Sequence, residues 1–225
     1  MIVYGKQVFL HILKKHPKMI EEVYLTKDVD KKLFSQVVKT GKKIVRLDFI
    51  KAQSLARGGN HQGFLMKISD VGYVPFELLK KETFLLVLVG LTDVGNIGAI
   101  VRSAYALGVQ GVVLSGVKTM NLEGVVRSST GAILDMPMAL VSDTATLINE
   151  LKQRGFKIYA ADMDGEDARE ITFADKKVLL LGSEGMGIPK RILKSCDTTI
   201  KVAMEREFDS LNVSAAAAIL CDRMR

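Results

Sequence analysis

The chain has 225 residues, 48% of them hydrophobic, enough to bury one good core, or one medium and one small core. Its longest apolar run, Phe84 to Leu91, falls well short of the roughly 20 residues of a membrane span, and no signal-peptide core opens the N-terminus, so a globular protein of the cytoplasm, without membrane contact, is expected. The net charge of +7 is uneven: residues 1–72 hold 14 Lys and Arg against 6 Asp and Glu, whereas the rest hold 18 against 19.

A basic front on a near-neutral rear suits a protein that grips a polyanion, because cationic side chains displace the counterions condensed on nucleic acid. The alternative is a solvated lysine-rich surface. Cys196 and Cys221 lack metal-ligand spacing and the three histidines do not cluster with them, so two reduced thiols and no metal are expected.

In chain order, Val8, Phe9, Ile12 and Leu13 recur at helical spacing within Tyr4 to Leu13, with Lys14, Lys15 and His16 in the last turn and Pro17 closing the helix. Short strands follow at 23–25, 43–47 and 64–68, with helices at 31–39 and 48–56. These make a small α/β sandwich over residues 1–70. Residues 71–82, with Gly72, Pro75 and several charges, read as a linker. From residue 83 to 225 strand and helix alternate, which predicts a parallel sheet: strands at 84–90, 111–115, 157–161, 178–181 and 199–203, and helices at 96–107, 143–154, 189–194 and 212–224.

Three polar, glycine-punctuated junctions follow apolar runs in this second part. They are Asn96-Ile97-Gly98-Ala99-Ile100-Val101-Arg102, Gly182-Ser183-Glu184-Gly185-Met186-Gly187 and Ser210-Leu211-Asn212-Val213-Ser214. In an open parallel sheet, ligands sit beyond the carboxyl ends of the strands, where such loops lie. The Gly182 loop lacks the ending of a phosphate-cradling loop and the order of a dinucleotide fingerprint, and Gly90 to Gly98 has the wrong spacing for one. Ser210 reads either as a helix cap or as an anion ligand. Arg102, among Ile100, Val101, Ala104 and Tyr105, must reach a polar cleft or a surface partner.

Taken together and in this order, the three junctions resemble motifs one, two and three of the SpoU (TrmH-like) RNA ribose 2′-O-methyltransferases of the SPOUT class. The likeness spans residues 84–225. Residues 1–70 are similar to the RNA substrate-binding domain that often precedes it, a fold akin to a small ribosomal protein, with Tyr4-Gly5 and His61-Gln62-Gly63 as its marks. Without that likeness His61 reads as a turn histidine.

The resemblance implies a parallel sheet ending in a C-terminal trefoil knot, a homodimer with sites near the subunit interface, and S-adenosylmethionine as methyl donor. It assigns Asn96, Arg102, Glu184, Ser210 and Asn212 to catalysis, and Gly182, Val202 and Leu211 to the methyl donor. A ribose 2′-oxygen would displace the sulfonium at the methyl carbon. Arg102 would bind the adjacent phosphate and stabilise the developing alkoxide, since a guanidinium is a reluctant base. Asn96 and Asn212 would orient the ribose and loop, Ser210 would bond near the nucleotide, and the proton would leave to a phosphate oxygen, a water or Glu184. The layout favours a guanosine of 23S ribosomal RNA as target, with transfer RNA guanosine as alternative and a non-catalytic RNA-binding dimer as the competing class. Two features depart from the family pattern, Val94-Gly95 before Asn96 and Ala203 in place of a proline, and the run 205–209 between Ala203 and the third motif is unusually charged.

Overall fold

A computed structural model describes residues 1–206 and 210–225; Glu207, Phe208 and Asp209 of the charged run lie outside the described residues. The front unit comprises β1 (Ile2–Tyr4), α1 (Lys6–Lys15), β2 (Ile20–Leu25), α2 (Lys31–Lys39), β3 (Lys43–Arg46), α3 (Phe49–Leu55) and β4 (Phe64–Ile68). Its sheet runs β1-β4-β2-β3, with only the β2/β3 pair parallel. Val8, Phe9, Ile12 and Leu13 are buried as their spacing predicts. Tyr4 differs from the expectation: it ends β1 instead of starting α1, and Gly5 between them takes φ 107°, a conformation that favours glycine. Asp30 and Asp48 cap α2 and α3, accepting from Leu33 N and Lys51 N at 2.8 Å each. His61 is buried, and its Nδ1 accepts the Gly63 N–H at 3.0 Å, so it does serve a turn.

The connecting segment packs closely: Val74 N donates to Met138 O at 2.9 Å, and Leu79 is buried. Beyond it come β5 (Phe84–Val89), α4 (Val94–Ala106), β6 (Gly111–Ser115), α5 (Leu122–Ser128), β7 (Met138–Val141), α6 (Thr144–Gln153), β8 (Lys157–Asp167), β9 (Lys177–Gly182), α7 (Lys190–Leu193), β10 (Thr198–Lys201) and α8 (Val213–Met224). All six strands are parallel, in the order β10-β8-β9-β5-β6-β7. The expected parallel sheet is therefore present. α5 and β7 lie where the sequence predicts no element, and β8 runs six residues beyond the strand expected there.

β5 is buried at every position because both faces are covered. Leu86 and Leu88 face the core beneath α4, α5 and α8, whereas Leu85, Val87 and Val89 face α6 and α7. The first of these cores continues without a break into Val3, Phe9 and Met66, so the two sheets share one hydrophobic cluster. Asp135, just before β7, adds a polar tie across the seam, meeting His11 Nε2 at 2.8 Å, His16 Nε2 at 3.1 Å and Lys15 Nζ at 3.3 Å. Among the described residues no helix is long and apolar enough to cross a membrane.

α4 and α5 touch where Gly98 meets Ser128, whose Oγ donates to Val94 O at 2.8 Å. A Cβ at Gly98 would overlap that hydroxyl and come within 2.6 Å of the Ser128 carbonyl carbon. Gly98→Ala is expected to cost about 1–3 kcal/mol by overpacking, read as a lowered thermal midpoint of the whole chain.

Candidate active site

Two of the three junctions leave the sheet side by side. β5 pairs with β9 in a register that sets Val89 opposite Gly182, so the loops to α4 and to Gly187 emerge together at the point where the strand order reverses. Asp93 caps α4, accepting from Asn96 N at 2.6 Å, which starts the helix two residues earlier than its apolar pattern suggests. The Gly182 loop closes as a tight turn, Gly187 N donating to Ser183 O at 2.8 Å, and lifts Glu184, Gly185 and Met186 outward. Asn212 caps α8, its Oδ1 accepting from Ser214 N at 2.9 Å. Ser210 is therefore not the cap.

Side chains from all three junctions meet. Asn96 Nδ2 donates to Glu184 Oε1 at 3.1 Å, Asn212 Nδ2 donates to the same oxygen at 2.6 Å, and Asn212 Nδ2 also reaches Asn96 Oδ1 at 3.1 Å. Asn212 has spent both amide hydrogens, and its oxygen accepts from both N and Oγ of Ser214. That saturation makes Asn212 a lock between elements. Among the described residues, one amide hydrogen of Asn96 and Oε2 of Glu184 have no hydrogen-bond partner.

Beside this triangle opens a pocket of about 830 Å³, within the range of small-molecule sites. Gly182, Val202, Ser210 and Leu211 line it, as does Glu184. Its floor is apolar, with Leu181, Ile188, Ile200, Val213 and Leu220. Asp162 and Asp164 add carboxylates at one wall, Lys201 and Arg206 cations. The sequence reading missed Asp162 and Asp164; the signal was the Asp162-Met163-Asp164-Gly165-Glu166-Asp167 run, which continues β8 past its apolar part. Gly165 is needed there, since a Cβ would lie 2.6 Å from Ile200 N on β10.

Arg102 stands apart. It is exposed on α4, does not line the pocket, and has no ion pair or hydrogen bond among the described residues. Six residues of helix turn it roughly 240° from Asn96 and carry it about 9 Å along the axis. Within one chain the structure joins Asn96, Glu184 and Asn212, lines the pocket with Ser210 and the three donor residues, and leaves Arg102 outside. Of the departures from the family pattern, Ala203 lines the pocket, whereas Val94 packs against Gly124 of α5.

Neither thiol is poised for chemistry: burial pushes Cys196 up to about 11 and Cys221 up to about 12. The one His/Asp group with metal-ligand proximity among the described residues is His11, His16 and Asp135, at the seam between the sheets. There Lys15 already supplies the carboxylate with a cation, and burial holds His11 below the usual imidazole range against the pull of Asp135.

Residues 83–222 match the SpoU rRNA Methylase family, and residues 2–74 match the RNA 2′-O ribose methyltransferase substrate-binding family. The chain is similar to an uncharacterized tRNA/rRNA methyltransferase of Archaeoglobus fulgidus, 35% identical over 69% of this chain and 72% of that one. It is also similar to a putative TrmH family tRNA/rRNA methyltransferase of Bacillus subtilis, 30% identical over 97% of this chain and 92% of the relative. In fold it resembles the crystal structure of an AdoMet-bound rRNA methyltransferase from Sinorhizobium meliloti, with a TM-score of 0.78 and 22% identity, over 100% of this chain and 86% of the other. Matched along nearly its whole length by these two domain families in tandem, the chain belongs to the SpoU family of RNA methylases.

Proposed function

We propose that the chain transfers a methyl group from S-adenosylmethionine to a ribose 2′-hydroxyl in structured RNA, with a guanosine of 23S ribosomal RNA as its target. The hydrogen-bonded triangle of Asn96, Glu184 and Asn212 at the pocket rim carries this reading. A scaffold that only bound RNA would have no need to tie three separate junctions around an open concavity.

The pocket residues fit the donor. An apolar floor suits a heterocycle, carboxylates at the wall suit hydroxyls and a cation, and Gly182 lets the loop backbone close against Gly187 without a side chain in the way. When bound, S-adenosylmethionine supplies an electrophilic methyl group. The chain's own part is to hold the loop rigid through Asn212, to offer the free Asn96 N–H and Glu184 Oε2 to the ribose, and to keep water from the apolar floor. Holding reactants at near-attack distance is worth roughly 7–11 kcal/mol, which leaves little covalent work for the protein.

Arg102 enters this scheme through a second copy. α4 and α8 lie side by side and expose Tyr105 and Ile219 along with Arg102, an edge suited to a homodimer in which one chain's arginine serves its partner's nucleotide. The knotted threading of the C-terminus and a cytoplasmic location belong to the same reading.

Support for an RNA target comes from relatives named as tRNA/rRNA methyltransferases, and the preference for a large folded RNA rests on the two-domain layout with its basic front unit. Partial alkaline hydrolysis of total RNA from a deletion strain is expected to reveal one lost 2′-O-methyl group, in 23S ribosomal RNA. Loss from transfer RNA would move the target, and no loss together with no calorimetric binding of S-adenosylmethionine would favour the non-catalytic dimer.

A further inference from the structure

Arg127, in the last turn of α5, carries a charge that this chain does not neutralise. Among the described residues no carboxylate lies within ion-pair distance of it, and its Nε is buried without a hydrogen-bond partner. Glu123 stands one turn earlier on α5, at the i,i+4 spacing that favours pairing, yet no ion pair forms. Burial alone pulls the guanidinium below its ordinary pKa, with no opposing anion. A partly desolvated cation without a partner is costly, and the cost falls when an anion arrives.

Its surroundings hold it for such a visitor. The guanidinium carbon lies 4.3 Å from the ring centre of Tyr4 at the end of β1, within cation–π distance, so the ring holds the group in place without neutralising its charge. Tyr4 is also packed tightly against Gly59, where a Cβ would overlap the tyrosine hydroxyl. Gly59 belongs to the loop 57–63, which with Lys27 and Phe49 borders a groove of about 430 Å³ on the front unit. Phe49 is 67% exposed there, an aromatic face open to a nucleobase. On the other side, the next residue along, Ser128, holds Val94 at the start of the helix that bears Asn96. Arg127 thus stands between a groove on one unit and the reactive loops of the other.

We propose that Arg127 is an anion site for a backbone phosphodiester of the RNA, docking it at the seam so that a strand in the front groove is held in register with the ribose at Asn96. This rests on the RNA-methylating reading above. Arg127 is a positioning residue here: its forked N–H groups take two phosphate oxygens, and it touches no reacting atom.

The test uses the full chain and in vitro transcribed 23S ribosomal RNA. Filter binding at stepped KCl concentrations is run on wild type, Arg127→Gln and Arg127→Lys, with calorimetry of S-adenosylmethionine alongside. For Arg127→Gln, RNA binding is expected to weaken about tenfold and the slope of log K against log salt to become shallower by roughly 0.7–0.9, the loss of one phosphate contact. Arg127→Lys is expected to keep the slope, and donor affinity to stay within about twofold in both variants. A purely structural Tyr4–Arg127 contact would lower the melting temperature and leave the slope unchanged, and that result overturns the proposal. Should Arg127→Gln not fold, phenylglyoxal labelling of wild type decides: RNA is expected to shield Arg127, and equal labelling with and without RNA overturns it. Absence of RNA binding by wild type at any salt would bring down the methyltransferase reading itself, whereas wild-type binding with an unchanged Arg127→Gln slope would sink this inference alone.

Discussion

Arg102→Ala is expected to lower methyl transfer by a factor of roughly 100–1,000, the usual loss when one preorganised donor to a developing oxyanion is removed. S-adenosylmethionine binding, followed by calorimetry, is expected to stay near wild type, because Arg102 does not line the pocket. Stability is expected to change by no more than about 0.5 kcal/mol, since the side chain is exposed and makes no ion pair among the described residues. Equal loss of transfer and donor binding would refute the assigned role. The structure also makes the origin of this arginine testable. If it serves a partner's site, mixing inactive Arg102→Ala chains with inactive Glu184→Ala chains restores transfer, because each hybrid dimer contains one intact site. If it served its own chain's site, every site in the mixture would lack one group and no activity would return.

Gly182→Ala is expected to lower methyl transfer about 100-fold and to weaken donor binding, while Gly185→Ala three residues on is nearly neutral in both. The contrast is steric. A Cβ on Gly182 would overlap the Gly187 carbonyl and come within 2.5 Å of Ile188 N, both backbone atoms that a rotamer change cannot move. The turn that presents Glu184 must then open, and displacement of about 1 Å at a reacting site can cost two orders of magnitude in rate. Overpacking adds roughly 1–3 kcal/mol of destabilisation. A Cβ on Gly185 meets nothing within 4 Å, so the same chemical change there has no neighbour to push. Transfer assays and donor titration of the two variants check this; a tight-binding Gly182→Ala would remove the loop from the donor site.

Much of the fold was legible because burial leaves a direct mark on sequence. β4 and β6 match their expected bounds, the first an apolar stretch broken only by the exposed Lys67, the second an apolar Val-Val-Leu between Gly111 and Ser115. α2 has the bounds its apolar pattern predicts, and α3 lies inside the helix expected at 48–56, with Asp48 as its cap. α5 and β7 were not read, since a seven-residue helix containing Gly124 and a four-residue strand give too few repeats for a period to emerge. Tyr4 was read into α1 because periodicity at Val8, Phe9, Ile12 and Leu13 says nothing of where the helix begins.

By itself, then, the sequence determined the local choices: which stretches bury, which face of each helix is apolar, and which polar residues follow strand ends. It named Asn96, Glu184 and Asn212 as members of one motif set without indicating that they touch. Only the tertiary structure decided that contact, along with the separation of Arg102 and the placement of Arg127 over the Tyr4 ring. The reason is that apolar pattern records whether a side chain leaves water, a local property. Which strands become neighbours depends on pairings such as Val89 with Gly182, between segments far apart in the chain, and no local pattern encodes that register.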